Sequence, residues 1–457
     1  MQSLSRVLPS RLAAVAPAQW SALARQTRFC RRQPRKIDPV AFLLGVCLWA
    51  GQAQPTLRRA ASFIGLCAGT TVSKQNIAQR CGLPAAQFVR AAVAALLARL
   101  ARGRTPLPPG ALESFGRVLI QDSTAVKLPA QWAARFPGNA NWQGQFALLK
   151  IQCIYELLTE QFVQWELSSF RVNDQRAAGQ ILAVVQPRDL VLRDLGYFTL
   201  ESFRQLQLRG AFFLSRLWQG VSVWQTDGHP LDLLGRLQHA GWLDEPVLLG
   251  LDQPLAVRLV AVPVSAAVAN QRRRQARQDR DQRHPPSAKR LALLGWDIFI
   301  TNVPAPVWSA RTLRAVYGLR WRIEIVFKSA KSHLQLSVIP QTSAVEVELL
   351  IWARLLLLTL LQGWLATGAP SDRDPPLSLL KAAEWLGLFC PLLLLAPLAT
   401  TLPQRLLCQI RYHCRYEKRK RINYAQTFSL LEPILKPAKI RCILREINDS
   451  SGIWDRL

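Results

Sequence analysis

Acidic side chains are scarce in this chain. Among 457 residues there are 29 Asp and Glu against 58 Lys and Arg, a formal net charge of +29. An excess of that size favours a polyanionic partner, because each Lys or Arg that neutralises a phosphate releases a condensed counterion. A ribosome-associated or membrane-surface role fits this balance less well than nucleic-acid binding does. Metal-binding cysteine pairs are missing too. The nine cysteines (Cys30, Cys47, Cys67, Cys81, Cys153, Cys390, Cys408, Cys414, Cys442) include no CxxC pair. The five histidines (His229, His239, His284, His333, His413) do not fall at zinc spacings, so no zinc site is legible. An odd cysteine count without a secretory signal implies reduced thiols in a cytoplasmic compartment. No internal repeat is visible.

The first 36 residues contain no acid at all. Their basic side chains (Arg6, Arg11, Arg25, Arg28, Arg31, Arg32, Arg35, Lys36) would suit an organelle transit peptide. A basic arm that touches DNA explains the same composition and agrees better with the rest of the chain. One hydrophobic run, Leu349 to Ala366, is long enough to span a membrane. Arg354 and Gln362 lie inside it and Glu346 and Glu348 border it, which favours a buried core helix and no stable membrane association.

What is abundant is apolar: half the residues are hydrophobic, with 15 Trp and 17 Phe, so a packed globular protein of about two to four domains is expected. From Asp38 to Leu100 the text reads as helices. Ser73 is placed to cap a helix that Gly82 would end, with a second helix over Ala85 to Leu100. This is either a helix-turn-helix or a plain helical hairpin. The Pro- and Gly-rich stretch Arg102 to Gly110 marks a boundary.

Strands follow: Arg117 to Val126, then Ala147 to Tyr155 and Phe162 to Leu167 around a Thr159-Glu160-Gln161 turn. A helix over Asp174 to Val185, a strand at Leu190 to Asp194, a helix at Leu200 to Leu208 and a strand at Ala211 to Ser215 complete an α/β order. Residues 216–302 turn to short strand-like pieces interrupted by a basic segment, Asn270 to Arg283. Long helices return after Thr312, and the tail from Arg405 to Arg445 is basic, with Lys418 to Arg421 at its centre.

Three carboxylates stand out by placement. Asp122 lies within an apolar strand, where a charge is costly unless it is paired or binds metal. Asp194 closes the strand Leu190-Val-Leu-Arg, 72 residues later. Glu324 lies 130 residues further on, in a helical run among Trp321, Ile323, Ile325 and Phe327. Singly, each is more often a salt-bridge or capping residue. Together they suit a two-metal site, in which hard oxygen ligands hold two Mg²⁺ about 4 Å apart for in-line displacement at phosphorus. Read as one helix, Tyr317, Arg320, Glu324 and Lys331 fall on a single stripe. A solvated face with i,i+4 ion pairs would share that spacing but not its strongly apolar neighbours.

Tyr-x2-Arg-x3-Glu-x6-Lys, carried here by Tyr317, Arg320, Glu324 and Lys331, resembles the signature of the insertion-sequence DDE transposases of insertion sequence family four. Gln121-Asp122-Ser-Thr124 and Asp194-Leu-Gly-Tyr-Phe198 resemble the family's two aspartate segments. Phe136-Pro-Gly138 and Leu149-Lys-Ile-Gln152 resemble the text between them, and the likeness covers roughly residues 110–340. It implies an RNase H-like core in which Asp122, Asp194 and Glu324 bind Mg²⁺, with Mn²⁺ able to substitute. Tyr317, Arg320 and Lys331 would contact the DNA end. Trp296, which closes the β-rich segment, resembles the family's base-stacking tryptophan; beside Ile298 and Ile300 it could equally be an ordinary core residue.

The expected architecture is therefore α/β. A helical DNA-binding region (1–105) precedes an RNase H-like core in two parts (111–215 and 303–345), which a mostly β insertion (216–302) interrupts. A helical region with a basic tail (346–457) follows. The expected function is cut-and-paste transposition: two-metal cleavage of transposon ends through a hairpin, then strand transfer to target DNA, by a homodimer in a bacterial cytoplasm at the nucleoid. A nuclease that only hydrolyses, a decayed, transposase-derived DNA-binding protein and a membrane protein built on the leucine-rich helices near Leu349 and Leu392 are the alternatives; the three intact carboxylates count against decay.

Overall fold

The computed structural model describes residues 17–34, 36–100, 110–141, 144–278, 285–367, 378–395 and 413–414. The expected linker at 102–109, the end of the Arg-rich segment (279–284), the Lys418 to Arg421 run and most of the basic arm and tail lie outside these residues. The chain forms two compact units whose pieces are not contiguous in sequence. One takes in the described residues of 1–105, 123–172 and 322–421; the other takes in those of 106–122 and 173–321.

The first unit begins with helices that the sequence punctuates clearly. The Asp38 carboxylate accepts hydrogen bonds from the amides of Val40 and Ala41 and so caps the helix Pro39–Ala50. Proline occupies its first turn, where a missing N–H costs nothing. Every residue of this helix is buried. Thr56 caps the next helix, Leu57–Ala68, and Gly69 ends it in the left-handed conformation at φ 64°. A Cβ at Gly45 would stand 2.6 Å from Ile64 Cα, so only glycine lets these two helices approach so closely. Ser73 caps Lys74–Arg80 as expected, Cys81 rather than Gly82 closes it, and the following helix runs Leu83–Leu100.

The hydrophobic run near residue 349 forms the middle of a helix, Ala344–Thr367. Its side chains from Leu349 to Ala353 and from Leu355 to Leu358 are buried, and it packs on Leu83–Leu100. Arg354 is wholly buried within it and donates to the Ala50 carbonyl, at the negative end of the helix Pro39–Ala50. Among the described residues, one helix is long and apolar enough to cross a membrane, Leu83–Leu100, and half of it is buried in the fold.

Strand β1 (Val118–Leu128) passes from the second unit into the first. Strands β2 (Pro137–Asn141), β3 (Gly144–Glu156) and β4 (Gln161–Ser169) belong to the first, with β3 antiparallel to both β2 and β4. The expected hairpin is β3–β4. Its turn is held by the Glu156 carboxylate, which accepts from the amides of Leu158 and Thr159, while Glu160 takes a left-handed φ of 52°.

The second unit is a mixed sheet. The first residues of β1 run parallel to β5 (Leu190–Arg193), and β5 runs parallel to β6 (Phe212–Arg216). These strands are nearly continuous apolar runs with both faces covered, as parallel strands usually are. Strand β6 pairs antiparallel with β10 (Trp296–Thr301), β10 with β9 (Leu255–Pro263), β9 with β8 (Leu243–Leu249), and β8 with β7 (Val223–Trp224). The segment expected to be mostly β is instead mixed: besides β7 to β10, its described residues form the helices Leu233–Ala240, Ala266–Gln278 and Ala288–Leu293, and the described part of the basic stretch lies in the second of these. The helix expected over Asp174 to Val185 is instead one α-turn, Asp174–Ala177, continued as a 3₁₀ helix, Ala178–Ala183.

Candidate active site

The two aspartates sit side by side, and the strand register explains why. Strands β1 and β5 align Val118 with Leu190 and Gln121 with Arg193, so Asp122 and Asp194 follow at the same level of neighbouring parallel strands. Such strands lie about 4.8 Å apart, and residues at one level share a face. The opposite end of the pair is pinned: Arg117 grips the buried Asp189 with a two-pronged guanidinium contact at 3.1 and 2.5 Å. The residues just before the aspartates point to the other face. There Gln121 donates to the Ala177 carbonyl, and Arg193 donates to the Ala178 carbonyl and to Ser202 Oγ. Burial pushes the Arg193 pKa down to about 9.

Arg320 faces both aspartates. Its guanidinium lies 3.7 Å from Asp122 and 3.8 Å from Asp194, and Arg320 itself is only 5% exposed. Its cationic carbon also lies 5.8 Å from the Tyr317 ring centre and 5.4 Å from that of Trp321. Burial raises the Tyr317 hydroxyl to a pKa of about 12; the Arg320 charge opposes that rise, and Asp194 adds to it. Tyr317 therefore keeps its proton near neutral pH.

One expectation about this segment is corrected. Tyr317, Arg320, Glu324 and Lys331 do not form a stripe on one helix. Tyr317 ends the helix Ala310–Gly318, Arg320 sits in a 3₁₀ turn, Leu319–Trp321, and Glu324 and Lys331 lie on the helix Arg322–His333. A 3₁₀ turn advances about 120° per residue against about 100° in an α-helix, so three such residues rotate the row by roughly 60°. The seven-residue spacing of Glu324 and Lys331 on one helix does hold.

Glu324 occupies the first turn of its helix, where the macrodipole favours a carboxylate, and is half-buried. That helix begins with Arg322, a buried residue paired with Glu160 of the β3–β4 turn. The Lys331 ammonium donates to the Ala125 carbonyl at 2.9 Å, three residues beyond Asp122 on β1, and burial lowers its pKa. Trp296 opens β10, half-exposed, with its indole N–H donating to the Gly241 carbonyl at 2.7 Å. Among the described residues, no three His, Cys, Asp or Glu side chains gather closely enough to hold one metal ion. What the structure brings together is Asp122, Asp194, Arg320 and Tyr317. Glu324 and Lys331 belong to the other compact unit.

Two features escaped the sequence reading. Arg320 was expected to touch phosphate, yet it also serves as the counter-charge of the aspartate pair. Asp297, in an apolar strand directly after Trp296, gathers three arginines. It carried the signal that singled out Asp122, a charge inside an apolar run.

The class of protein follows from sequence comparison. The family model described as transposase DDE domain matches residues 113–360, more than half of the chain, and the chain belongs to that family. It is 28% identical over 341 residues to the transposase for insertion sequence element IS231F of Bacillus thuringiensis subsp. israelensis, covering 70% of this chain and 71% of that one. To the transposase for insertion sequence element IS1151 of Clostridium perfringens it is 25% identical over 267 residues, 54% of this chain and 56% of that one. A cryo-EM structure of a piggyBac transposase synaptic complex with hairpin DNA is similar at a TM-score of 0.44 and 8% identity, over 93% of this chain and 87% of that chain. The protein is thus an insertion-sequence transposase, an enzyme that acts on DNA.

Proposed function

We propose that this transposase performs cut-and-paste transposition, with Asp122, Asp194 and Glu324 as the metal-binding carboxylates of an RNase H-like core. The observation that carries the reading is the pair of neighbouring aspartates facing one buried cation. Two carboxylates within reach of a single guanidinium present their oxygens to a common point, and hard oxygen donors are what Mg²⁺ or Mn²⁺ requires. Bound metal would activate the attacking oxygen and stabilise the leaving one.

The remaining chemistry falls to side chains. Arg320 is placed to exchange a carboxylate for a phosphate oxygen when DNA enters, because its planar fork suits both. Tyr317, protonated near neutral pH, can donate a hydrogen bond to the same strand. Lys331 would add a further phosphate contact. Trp296 would stack an extruded base, a step that a hairpin at the transposon end demands. The basic helix Ala266–Gln278 would neutralise backbone phosphates. Joining two ends implies a homodimer on DNA, and the setting would be the bacterial cytoplasm, at the nucleoid.

The deciding experiment is a cleavage and strand-transfer assay on labelled DNA flanking the gene, with Mg²⁺ or Mn²⁺ and with Asp122→Ala beside the wild type. Metal-dependent hairpins and joined products that vanish in the variant are expected. Hydrolysis without joining would indicate a nuclease, and binding without any cleavage would indicate a decayed DNA-binding protein.

A further inference from the structure

Asp297 is the second residue of β10 and 6% exposed. Its carboxylate takes Arg216 and Arg272 on Oδ1, each at 2.7 Å, and Arg314 on Oδ2 at 3.1 Å. The arginines come from three elements of one unit: the end of β6, the helix Ala266–Gln278 and the helix Ala310–Gly318. One carboxylate is fully served by one guanidinium, so the second and third add mutual repulsion that Asp297 does not cancel. Their side chains are 34%, 26% and 44% exposed, so solvent reaches all three, and each meets Asp297 through one nitrogen. Among the described residues, Asp297 is the sole acid that pairs with any of the three. The cluster borders the aspartate pocket: Tyr317 lies three residues after Arg314 on the same helix and packs on Phe299 at 5.1 Å, one same-face step along β10 from Asp297.

We propose that Arg216, Arg272 and Arg314, gathered on Asp297, form a seat for a DNA backbone phosphate that holds the strand beside Tyr317 and Arg320. The cluster carries three positive charges against one negative, and a phosphodiester supplies the missing anion with matching two-pronged acceptor geometry. Asp297 is a positioning residue. It restrains three flexible side chains before DNA arrives, so less rotamer freedom is lost on binding. This deepens the transposase reading, because the seat matters to the reaction only if that pocket cuts DNA.

The test is the salt dependence of DNA binding by the full-length chain, measured by fluorescence anisotropy between about 50 and 300 mM salt. Wild type, Arg272→Gln, Arg314→Gln and the double variant are compared on a transposon-end duplex and on a generic duplex of equal length. Each lost phosphate contact should lower the slope of log K against log salt by about 0.9, on both duplexes, with affinity down about fivefold per arginine. Arg314→Lys should restore the slope, since its charge is kept. Asp297→Asn supplies a second arm. Removing an acid from a DNA-binding protein ought to tighten binding if charge alone counted, whereas dispersing the arginines should weaken it.

An unchanged slope in the double variant, with a lowered melting temperature, would overturn the seat and leave the cluster as an ion pair of the fold. Tighter binding by Asp297→Asn would overturn the positioning role. Cleavage by the wild type is scored separately. If the wild type binds but never cuts with Mg²⁺ or Mn²⁺, the catalytic reading fails while the slopes still decide the seat.

Discussion

The guanidinium of Arg320 lies 3.7 Å from a carboxylate oxygen of Asp122, and the same group reaches Asp194 at 3.8 Å. Two adjacent carboxylates repel, and a cation between them relieves the repulsion. At such distances a unit-charge pair near a protein surface interacts by about 4 kcal/mol, an upper figure here because the Asp194 side chain is 45% exposed. Arg320→Ala should therefore have opposite effects on two ligands. Without DNA, Mn²⁺ affinity measured by titration should rise about tenfold, or ~1.4 kcal/mol. Complexes with the transposon end should weaken in gel-shift assays. If neither affinity moves, Arg320 is not the counter-charge of a metal-binding pair.

Glu324→Gln keeps the volume and the helix while removing the charge. Cleavage should fall about a thousandfold, ~4 kcal/mol of transition-state stabilisation, with end binding held within about threefold. Full cleavage by this variant would remove Glu324 from the site.

Trp296→Ala should slow hairpin formation more than the first nick, because only the hairpin requires a base held out of the stack. The indole already donates to the Gly241 carbonyl, so some loss of stability is expected as well. Time courses of both products on one labelled end separate the cases, and equal slowing of the two steps would assign Trp296 to the fold.

Arg117 and Asp189 pin the register that sets Asp122 beside Asp194. Asp189 is 1% exposed, so Asp189→Asn strands a guanidinium that is itself largely buried. Urea denaturation should show a loss of about 3 kcal/mol. Cleavage should fall further than end binding if the register is disturbed. A stable variant with normal cleavage would show that the hydrophobic strands hold the register unaided.

Burial raises the Cys81 thiol to a pKa of about 12, helped by Glu346, and the Cys67 thiol to about 11. Both should resist iodoacetamide at pH 8 in the folded chain and react once it is unfolded in urea, since the thiolate is the nucleophile. The folded values exceed the ordinary 9.0, so the folded form keeps these protons longer. Stability from these groups is fully present below about pH 9 and declines as pH climbs through 11 and 12. Rapid native labelling of Cys81 would contradict its burial.

Much of this was legible in the chain itself. Local rules that need no partner were reliable: Ser73 as a cap, the β3–β4 hairpin, the helix at Leu200 to Leu208, the strand that carries Asp122 and the one that leads up to Asp194. Other features could not be read in that way. The 3₁₀ turn at Leu319–Trp321 lies in text whose spacing is compatible with one continuous helix, and its tighter pitch is what takes the four residues out of a single stripe. Likewise Arg354 weighed against a membrane span, but only the packed structure shows its contact with the end of Pro39–Ala50.

The family and most local elements are written in the chain, because capping, periodicity and motif spacing act over a few residues. Which side chains meet is set by the packed fold. The parallel register of β1 and β5 puts Asp122 next to Asp194 across 72 residues of chain, and Asp297 collects arginines from three separate elements. Such contacts depend on strand pairing and burial between distant segments, which no local spacing records.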